Sequence, residues 1–245
     1  KLPKRLFIKS QIFLKKMSSG NISIIGKPNV GKSTLFNLLI KKHLAGATNK
    51  PQTTRHKIDA VLHEGDTEFL FVDTPGLNFN IKKNFNKILN KNALSAIYEA
   101  DVILHVVDYF KIDRDDIKVI ENINSIPLPK ILVLNKIDLD NKKKNLPKIL
   151  SEIPKDIINV YDEIIPVSSK NSKNIKNLKK IIKSHIPINN KNNYENILSN
   201  KPKEFFVAEY IREACLKYLS VELPYSLHVE INKFEDEEDI ISIAS

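Results

Sequence analysis

The chain has 245 residues, 39 Lys and Arg against 29 Asp and Glu, a net charge of +10, 42% hydrophobic residues and one Cys. At roughly 100–200 residues per domain, this length suits one large domain or one domain with a small companion, and the apolar content excludes wholesale disorder. A single cysteine excludes a disulfide framework and a multi-cysteine metal site, and no apolar run approaches the ~20 residues of a membrane-spanning helix, which points to a soluble intracellular protein.

The charge is unevenly spread. Residues 1–16 carry six bases and no acid, residues 17–186 carry 27 bases and 18 acids, and residues 187–245 carry six bases and 11 acids. The basic prefix 1–16 precedes the one methionine, Met17. It reads either as upstream sequence ahead of a start at Met17 or as an organelle-targeting presequence, and neither reading gives it a part in the fold. Lys/Asn tracts at 141–145, 170–177 and 189–193 read as solvated loops from an AT-rich genome. The positive total is therefore a weak pointer to nucleic acid.

Residues 21–25 (NISII) form a short apolar run suited to a buried strand. They lead directly into Gly26, Lys27, Pro28, Asn29, Val30, Gly31, Lys32 and Ser33, which match G-x-x-x-x-G-K-[ST] at every fixed position, and Thr34 opens an amphipathic segment to residue 40. Strand, Gly-rich loop and helix in that order make a phosphate cradle. The glycines let backbone N–H groups converge on phosphate oxygens, and the helix N-terminus adds partial positive charge. Lys32 can reach the β- and γ-phosphates, and the Ser33 hydroxyl can ligate Mg²⁺.

After a loop at 41–55, residues 68–72 (EFLFV) read as a strand ending in Asp73, Thr74, Pro75 and Gly76. A carboxylate at that strand end can hold Mg²⁺ through a water, and the Gly76 N–H can meet the γ-phosphate. Residues 84–99 and 112–123 are helical candidates, and 101–108 (DVILHVVD) is a further buried strand. Its His105 reads as a core histidine rather than a catalytic one. Residues 130–134 (KILVL) form another buried run, followed by Asn135, Lys136, Ile137 and Asp138. The Asp138 carboxylate can accept hydrogen bonds from guanine N1–H and the exocyclic amine, donors that adenine does not match. Asn135 would brace the loop, and the Lys136 stem would cover the base. Unpaired buried polar groups reject the wrong base strongly, so the nucleotide is GTP. Residues 164–167 (IIPV) end at Ser168, Ser169 and Lys170, placed to offer backbone N–H groups to the guanine carbonyl.

Residues 174–185 read as the closing helix, and 187–202, polar and bracketed by prolines, as a linker. Beyond it, Val207, Tyr210, Ile211, Ala214, Cys215 and Tyr218 recur at helical spacing through 203–219 as an apolar stripe, with Cys215 read as core. Residues 226–234 (SLHVEINKF) alternate as a half-buried strand, and 240–245 begin a second strand after the acidic run 235–239.

The stretches GKPNVGKS (26–33), PQTTRH (51–56), DTPGL (73–77) and FFVAEYIREACLKYLSVELPYS (205–226) together resemble the Era family of GTPases, over residue 20 to about 234. The resemblance implies an α/β fold. A P-loop GTPase domain over 17–186, with a mostly parallel central sheet flanked by helices, would be followed across the linker by a partial α+β KH-like domain at 203–245. It implies hydrolysis of GTP to GDP with Mg²⁺, binding of small-subunit rRNA and the pre-ribosomal small subunit, and a role in ribosome assembly. It further implies a cytoplasmic monomer with peripheral association at the inner membrane.

By the same resemblance the switch Mg²⁺ ligand lies in Thr53–Thr54. Thr54, beside Arg55, is preferred and Thr53 is the alternative. Ser33 and Thr54 are then the metal ligands, and Lys32, Thr54, Asp73, Gly76 and Asn29 the catalytic set. Leu77 stands where many small GTPases carry a water-orienting Gln. A leucine cannot align a water, so hydrolysis is expected to be slow until a partner completes the site. In some relatives the residue matching Asn29 helps bind a monovalent cation, which implies stimulation by K⁺. KH domains clamp RNA with a GXXG loop, and residues 187–245 contain no glycine, so an incomplete KH-like unit is expected. Two alternatives stay open: a nucleotide-gated binding protein with negligible hydrolysis, and a related GTPase of tRNA modification or large-subunit assembly.

Overall fold

Apolar runs bounded by turn residues become six strands of one sheet: β1 (Ser18–Ile25), β2 (Ile58–Glu64), β3 (Thr67–Asp73), β4 (Val102–Asp108), β5 (Lys130–Asn135) and β6 (Glu163–Pro166). Their spatial order is β2-β3-β1-β4-β5-β6. The computed structural model describes residues 18–48, 50, 53–77, 90, 93–140, 147, 149, 151, 153–188, 198–218, 227–236 and 241–244. The prefix 1–16, Met17 and most of the expected linker lie outside the described residues.

All neighbouring strands run parallel except β2, which pairs antiparallel with β3 across the turn at Gly65, where φ is +67°. From β1 the chain runs to β2 at one edge, whereas from the neighbouring β3 it crosses to β4 on the other side of β1, so the connections after these two adjacent strands diverge. That is the point where an open α/β sheet leaves a crevice for a ligand. The helices are α1 (Lys32–Ile40), α2 (Arg114–Asn124), α3 (Lys155–Ile158), α4 (Ile175–His185) and α5 (Lys203–Tyr218), with residues 93–98 also helical. β7 (Lys233–Asp236) and β8 (Ile241–Ala244) pair antiparallel in a separate two-stranded sheet.

Both faces of the large sheet are buried. In β4, Val102, Leu104 and Val106 join one apolar cluster with Ile24, Phe36, Leu178 and Ile182. Ile103 and Val107 join the opposite cluster with Leu77, Ile97, Ile123 and Leu132. Double-sided burial is why these strands read as continuous apolar runs rather than alternating ones. His105 is fully buried, and its Nδ1 lies 2.6 Å from the Tyr161 hydroxyl. Burial, with the charges of Lys32 and Lys27, pushes its pKa down to about 3, so it sits in the core as a neutral ring.

Two local expectations are corrected, and one strand was not anticipated. β2 was not among the runs the sequence singles out. In the described part of the expected strand over 226–234, only Lys233 and Phe234 are extended, as the start of β7; residues 227–232 are irregular, and the pairing with β8 covers 233–236. The apolar stripe expected on α5 is not its buried face. Glu209, Arg212, Glu213 and Leu216 are buried, whereas Tyr210 and Tyr218 are 39% and 89% exposed and Cys215 is half-buried. The physical reason is the partner: this face of α5 meets the polar loop that follows α1 rather than an oily layer.

Candidate nucleotide site

At the C-terminal end of β1 the chain turns through Gly26 and Gly31, with φ of +143° and +96°. A Cβ at Gly26 would run into the Val106 carbonyl, and one at Gly31 into the Asn135 side chain, so only glycine fits. α1 then starts from Gly31 without a side-chain cap, which leaves its first N–H groups for an anion. Asn29 also has positive φ (+64°). Lys32 is buried, and its Nζ donates to the Lys27 carbonyl at 3.0 Å. Burial lowers its pKa to about 8, against the opposing pull of Asp73. Val30 turns its side chain into the core and presents only backbone to the loop.

Beside the loop, two hydroxyls meet one carboxylate. Ser33 Oγ and Thr54 Oγ1 lie 2.8 Å apart, and Ser33 donates to Asp73 Oδ2 at 2.7 Å. Thr54 Oγ1 reaches the same oxygen at 3.4 Å. Thr53 is occupied elsewhere: its hydroxyl lies 2.6 Å from that of Thr48 and donates to the Lys50 carbonyl at 2.7 Å. Asp73 is fully buried at the end of β3, and its Oδ1 has no hydrogen-bond partner among the described residues. Burial raises its pKa to about 6, against Lys32 and the hydroxyl donors. A donor set made only of oxygen, with one buried carboxylate oxygen unmatched, fits Mg²⁺.

The next residues are pinned to the phosphate loop. Thr74 is buried and donates through Oγ1 to the Ile24 carbonyl at 2.8 Å, and Pro75 is buried beside it. Gly76 sits so close to Pro28 that a Cβ would come within 2.7 Å of its nitrogen. The Leu77 N–H donates to the Gly26 carbonyl at 3.0 Å, while its side chain is 1% exposed within the core.

The base-side loops follow β5 and β6. Asn135 donates to the Val30 carbonyl at 2.8 Å and accepts from the Ser169 N–H (3.0 Å) and hydroxyl (2.9 Å). It therefore ties three loops together. Ser168 donates to Asp138 Oδ1 at 2.6 Å, fixing the plane of that carboxylate. Lys136 has φ of +72° and pairs with Asp108 at 2.8 Å. Of the three N–H groups expected to face guanine, that of Ser168 goes to the Lys173 carbonyl and that of Ser169 to Asn135, which leaves Lys170. A cleft of about 490 Å³ runs along Asn29, Gly31, Thr34, Asn135, Lys136, Asp138, Ser169 and Lys170. It adjoins the hollow formed by Pro28, Lys32, Ser33, Thr54 and Gly76.

Sequence reasoning missed Thr48, which lines both parts, and Asp108, which carried a readable signal as a carboxylate ending a buried strand. It also missed the contact of α5 with the loop carrying Thr54. Arg212, paired with Glu209, donates to the Thr53 carbonyl, and Arg55 donates to the Leu227 carbonyl at 2.7 Å. At the loop's other end His43 lies 2.7 Å from Glu213, and the Tyr210 hydroxyl donates to the His43 carbonyl.

Residues 21–136 match the family model described as 50S ribosome-binding GTPase. The GTPase Era of Pseudomonas fluorescens (strain Pf0-1) is 37% identical over 218 residues, covering 89% of this chain and 72% of that protein. The GTPase Era of Pseudomonas putida (strain W619) is 34% identical over 224 residues, covering 91% and 74%. A solved Era in complex with MgGDPNP and nucleotides 1506–1542 of 16S ribosomal RNA matches with a TM-score of 0.85 at 31% identity, over 91% of this chain and 74% of that one. A variant of Aquifex aeolicus Era bound to GDP·AlF4⁻ matches with the same TM-score and identity, over 91% and 75%.

Proposed function

The chain belongs to the Era family of GTPases, and from that premise we propose that it binds GTP and GDP with Mg²⁺, hydrolyses GTP to GDP and phosphate, and acts on small-subunit ribosomal RNA in ribosome assembly. The observation that carries the nucleotide reading is the meeting of Ser33, Thr54 and Asp73 beside the phosphate loop.

Ser33 and Thr54 would hold Mg²⁺ through their hydroxyls, and Asp73 would hold it through a water. When bound, the metal neutralises charge on the β- and γ-phosphates. Lys32 leaves the Lys27 carbonyl for the phosphate oxygens, and the N–H groups of the loop 26–34 surround them. Gly76 offers its N–H to the γ-phosphate. Asp138 accepts from the guanine edge in the plane set by Ser168, Asn135 keeps the loops together, and Lys170 offers its N–H to the carbonyl. The buried Leu77 side chain cannot orient a water, so turnover is slow until a partner completes the site. Asn29 would take part in holding a K⁺ ion that contributes positive charge there. Turnover that is equal in K⁺ and Na⁺ would remove that role.

We assign residues 17–186 to the GTPase unit, 187–202 to a linker and 203–245 to a KH-like unit. The separate pairing of β7 with β8, after α5, supports that division. The rRNA role is inherited from the relatives. One experiment tests the site: titrate the purified chain with GDP and ADP, with and without Mg²⁺, and follow phosphate release from GTP. Guanine-selective, Mg²⁺-supported binding with GTP turnover is expected. Equal affinity for ADP would overturn the base assignment.

A further inference from the structure

We propose that the acidic turn joining β4 to α2, residues 108–116, is a positioning element of the nucleotide site, fastening the phosphate loop through Lys27 and the base loop through Lys136. The proposal rests on the nucleotide reading above and adds residues that no phosphate or base motif contains.

Lys27 occupies a position that the phosphate-loop pattern leaves free, and its side chain does not join the cleft. Its Nζ lies 2.7 Å from Asp113 Oδ2, 2.7 Å from Asp116 Oδ2 and 3.3 Å from the Lys111 carbonyl. Those three acceptors use all three ammonium hydrogens. The Lys27 side chain is 14% exposed and that of Asp116 is not exposed at all. Both carboxylates are already fixed. Asp113 is the N-cap of α2 and accepts from the Asp115 N–H at 3.1 Å, while Asp116 closes the capping box by accepting from the Asp113 N–H at 3.0 Å. The phosphate loop is thus bolted to the rigid first turn of a helix rather than to a mobile side chain.

Burial opposes the Lys27 charge, but the hydrogen bonds to Asp113 and Asp116 outweigh it and hold the ammonium above its ordinary value. Burial likewise works to raise Asp113, and Lys27 outweighs it, leaving that carboxyl below its ordinary range.

The other end of the turn grips the base loop. Asp108 Oδ2 lies 2.8 Å from Lys136 Nζ, and its Oδ1 accepts from the Phe110 N–H at 3.0 Å. The Tyr109 N–H donates to the Asn135 carbonyl at 2.8 Å. Within nine residues the turn therefore bonds to the second residue of the phosphate loop and to two residues of the base loop. The Lys27 carbonyl is also where Lys32 Nζ rests, at 3.0 Å. A displaced Lys27 would move the resting point of the phosphate-binding lysine as well.

A purely architectural ion pair would change only stability, whereas a positioning element changes affinity in a coupled way. The test uses the full chain. It compares Lys27→Met, Lys27→Arg, Asp116→Asn, Asp108→Asn and the double variant Lys27→Met/Asp116→Asn, reading GDP Kd by displacement of a fluorescent GDP and the nucleotide-free melting midpoint. Lys27→Met should raise the GDP Kd about tenfold, Lys27→Arg should stay within about threefold of wild type, and Asp116→Asn should add nothing to Lys27→Met. Asp108→Asn should weaken GDP without moving the midpoint, and together with Lys27→Arg it decides the matter if Lys27→Met does not fold. Wild-type GDP affinity in folded Lys27→Met, or in Asp108→Asn where Lys27→Met is unfolded, overturns the proposal, as does full additivity in the double variant. A wild-type chain that binds no GDP overturns the nucleotide reading and this proposal together. Binding by wild type that the variants match removes the positioning role alone.

Discussion

Two carboxylates govern the site, and their settings differ. Asp138 lies at the mouth of the cleft with one oxygen engaged by Ser168. Asp138→Asn exchanges an acceptor for a donor facing the base. Guanine affinity should fall by two orders of magnitude or more, while xanthine, which presents a carbonyl in place of the amine, should gain; competition of GDP against XDP measures both. Asp73 is fully buried, and burial raises its pKa to about 6. A carboxyl that binds its proton more tightly when folded than when unfolded makes the nucleotide-free protein lose stability as pH rises from about 4 to 6. Mg²⁺ requires the ionised form, so Mg²⁺-supported GTP affinity should fall as pH drops through about 6. Asp73→Asn should flatten that profile, and titrations at pH 5 to 8 in constant Mg²⁺ will show whether it does. These residues were legible in the sequence because their chemistry dictates identity at fixed spacing. Lys27 was legible only as a member of the phosphate loop; the pairing of its side chain was not, since the pattern treats its position as free and its role depends on which side chains α2 brings beside it.

Among elements, the loop after α1 carries the Thr54 hydroxyl and is held at both ends by α5, through His43 with Glu213 and through Thr53 with Arg212. A residue that favours the ordered loop favours whatever ligand needs that loop, by reciprocity of coupled equilibria. Arg212→Met should therefore weaken a non-hydrolysable GTP analogue with Mg²⁺ about tenfold and leave GDP within about threefold, which paired titrations will read. The buried strands of the large sheet were legible as apolar runs, and α4 as a 3.6-residue repeat. The buried face of α5 was not, because hydropathy patterns assume an oily partner and this one is a polar loop. The alternation of Leu227, Val229 and Ile231 is not realised as a strand: period-two patterning marks one only where another strand pairs with it, and among the described residues the pairing with β8 covers 233–236 alone.

For the molecule as a whole, stability is divided between the two faces of one sheet. Phe36 is fully buried in the face shared by α1 and α4, and Phe36→Ala should cost about 3–5 kcal/mol in denaturant unfolding. Nucleotide binds the folded state, so GDP at 100 times its Kd should add about 2.7 kcal/mol and raise the melting midpoint by roughly 5–10 °C. Among the described residues no helix is long and apolar enough to cross a membrane. On α4 two lysines are paired: Lys179 with Glu64 and Lys183 with Asp66. Each pair sets one base against one acid, so the net charge of +10 stands undiminished.

The seam between α5 and the loop bearing Thr54 has a thermodynamic consequence. Beyond Glu209 its buried groups are Arg212, Glu213 and a single apolar residue, Leu216. Parting that stretch returns charges to water rather than baring oil, and the hydration regained offsets much of the pairing lost. A contact of this kind behaves as a fastener rather than a weld. Separating it costs less than separating an apolar seam of equal area.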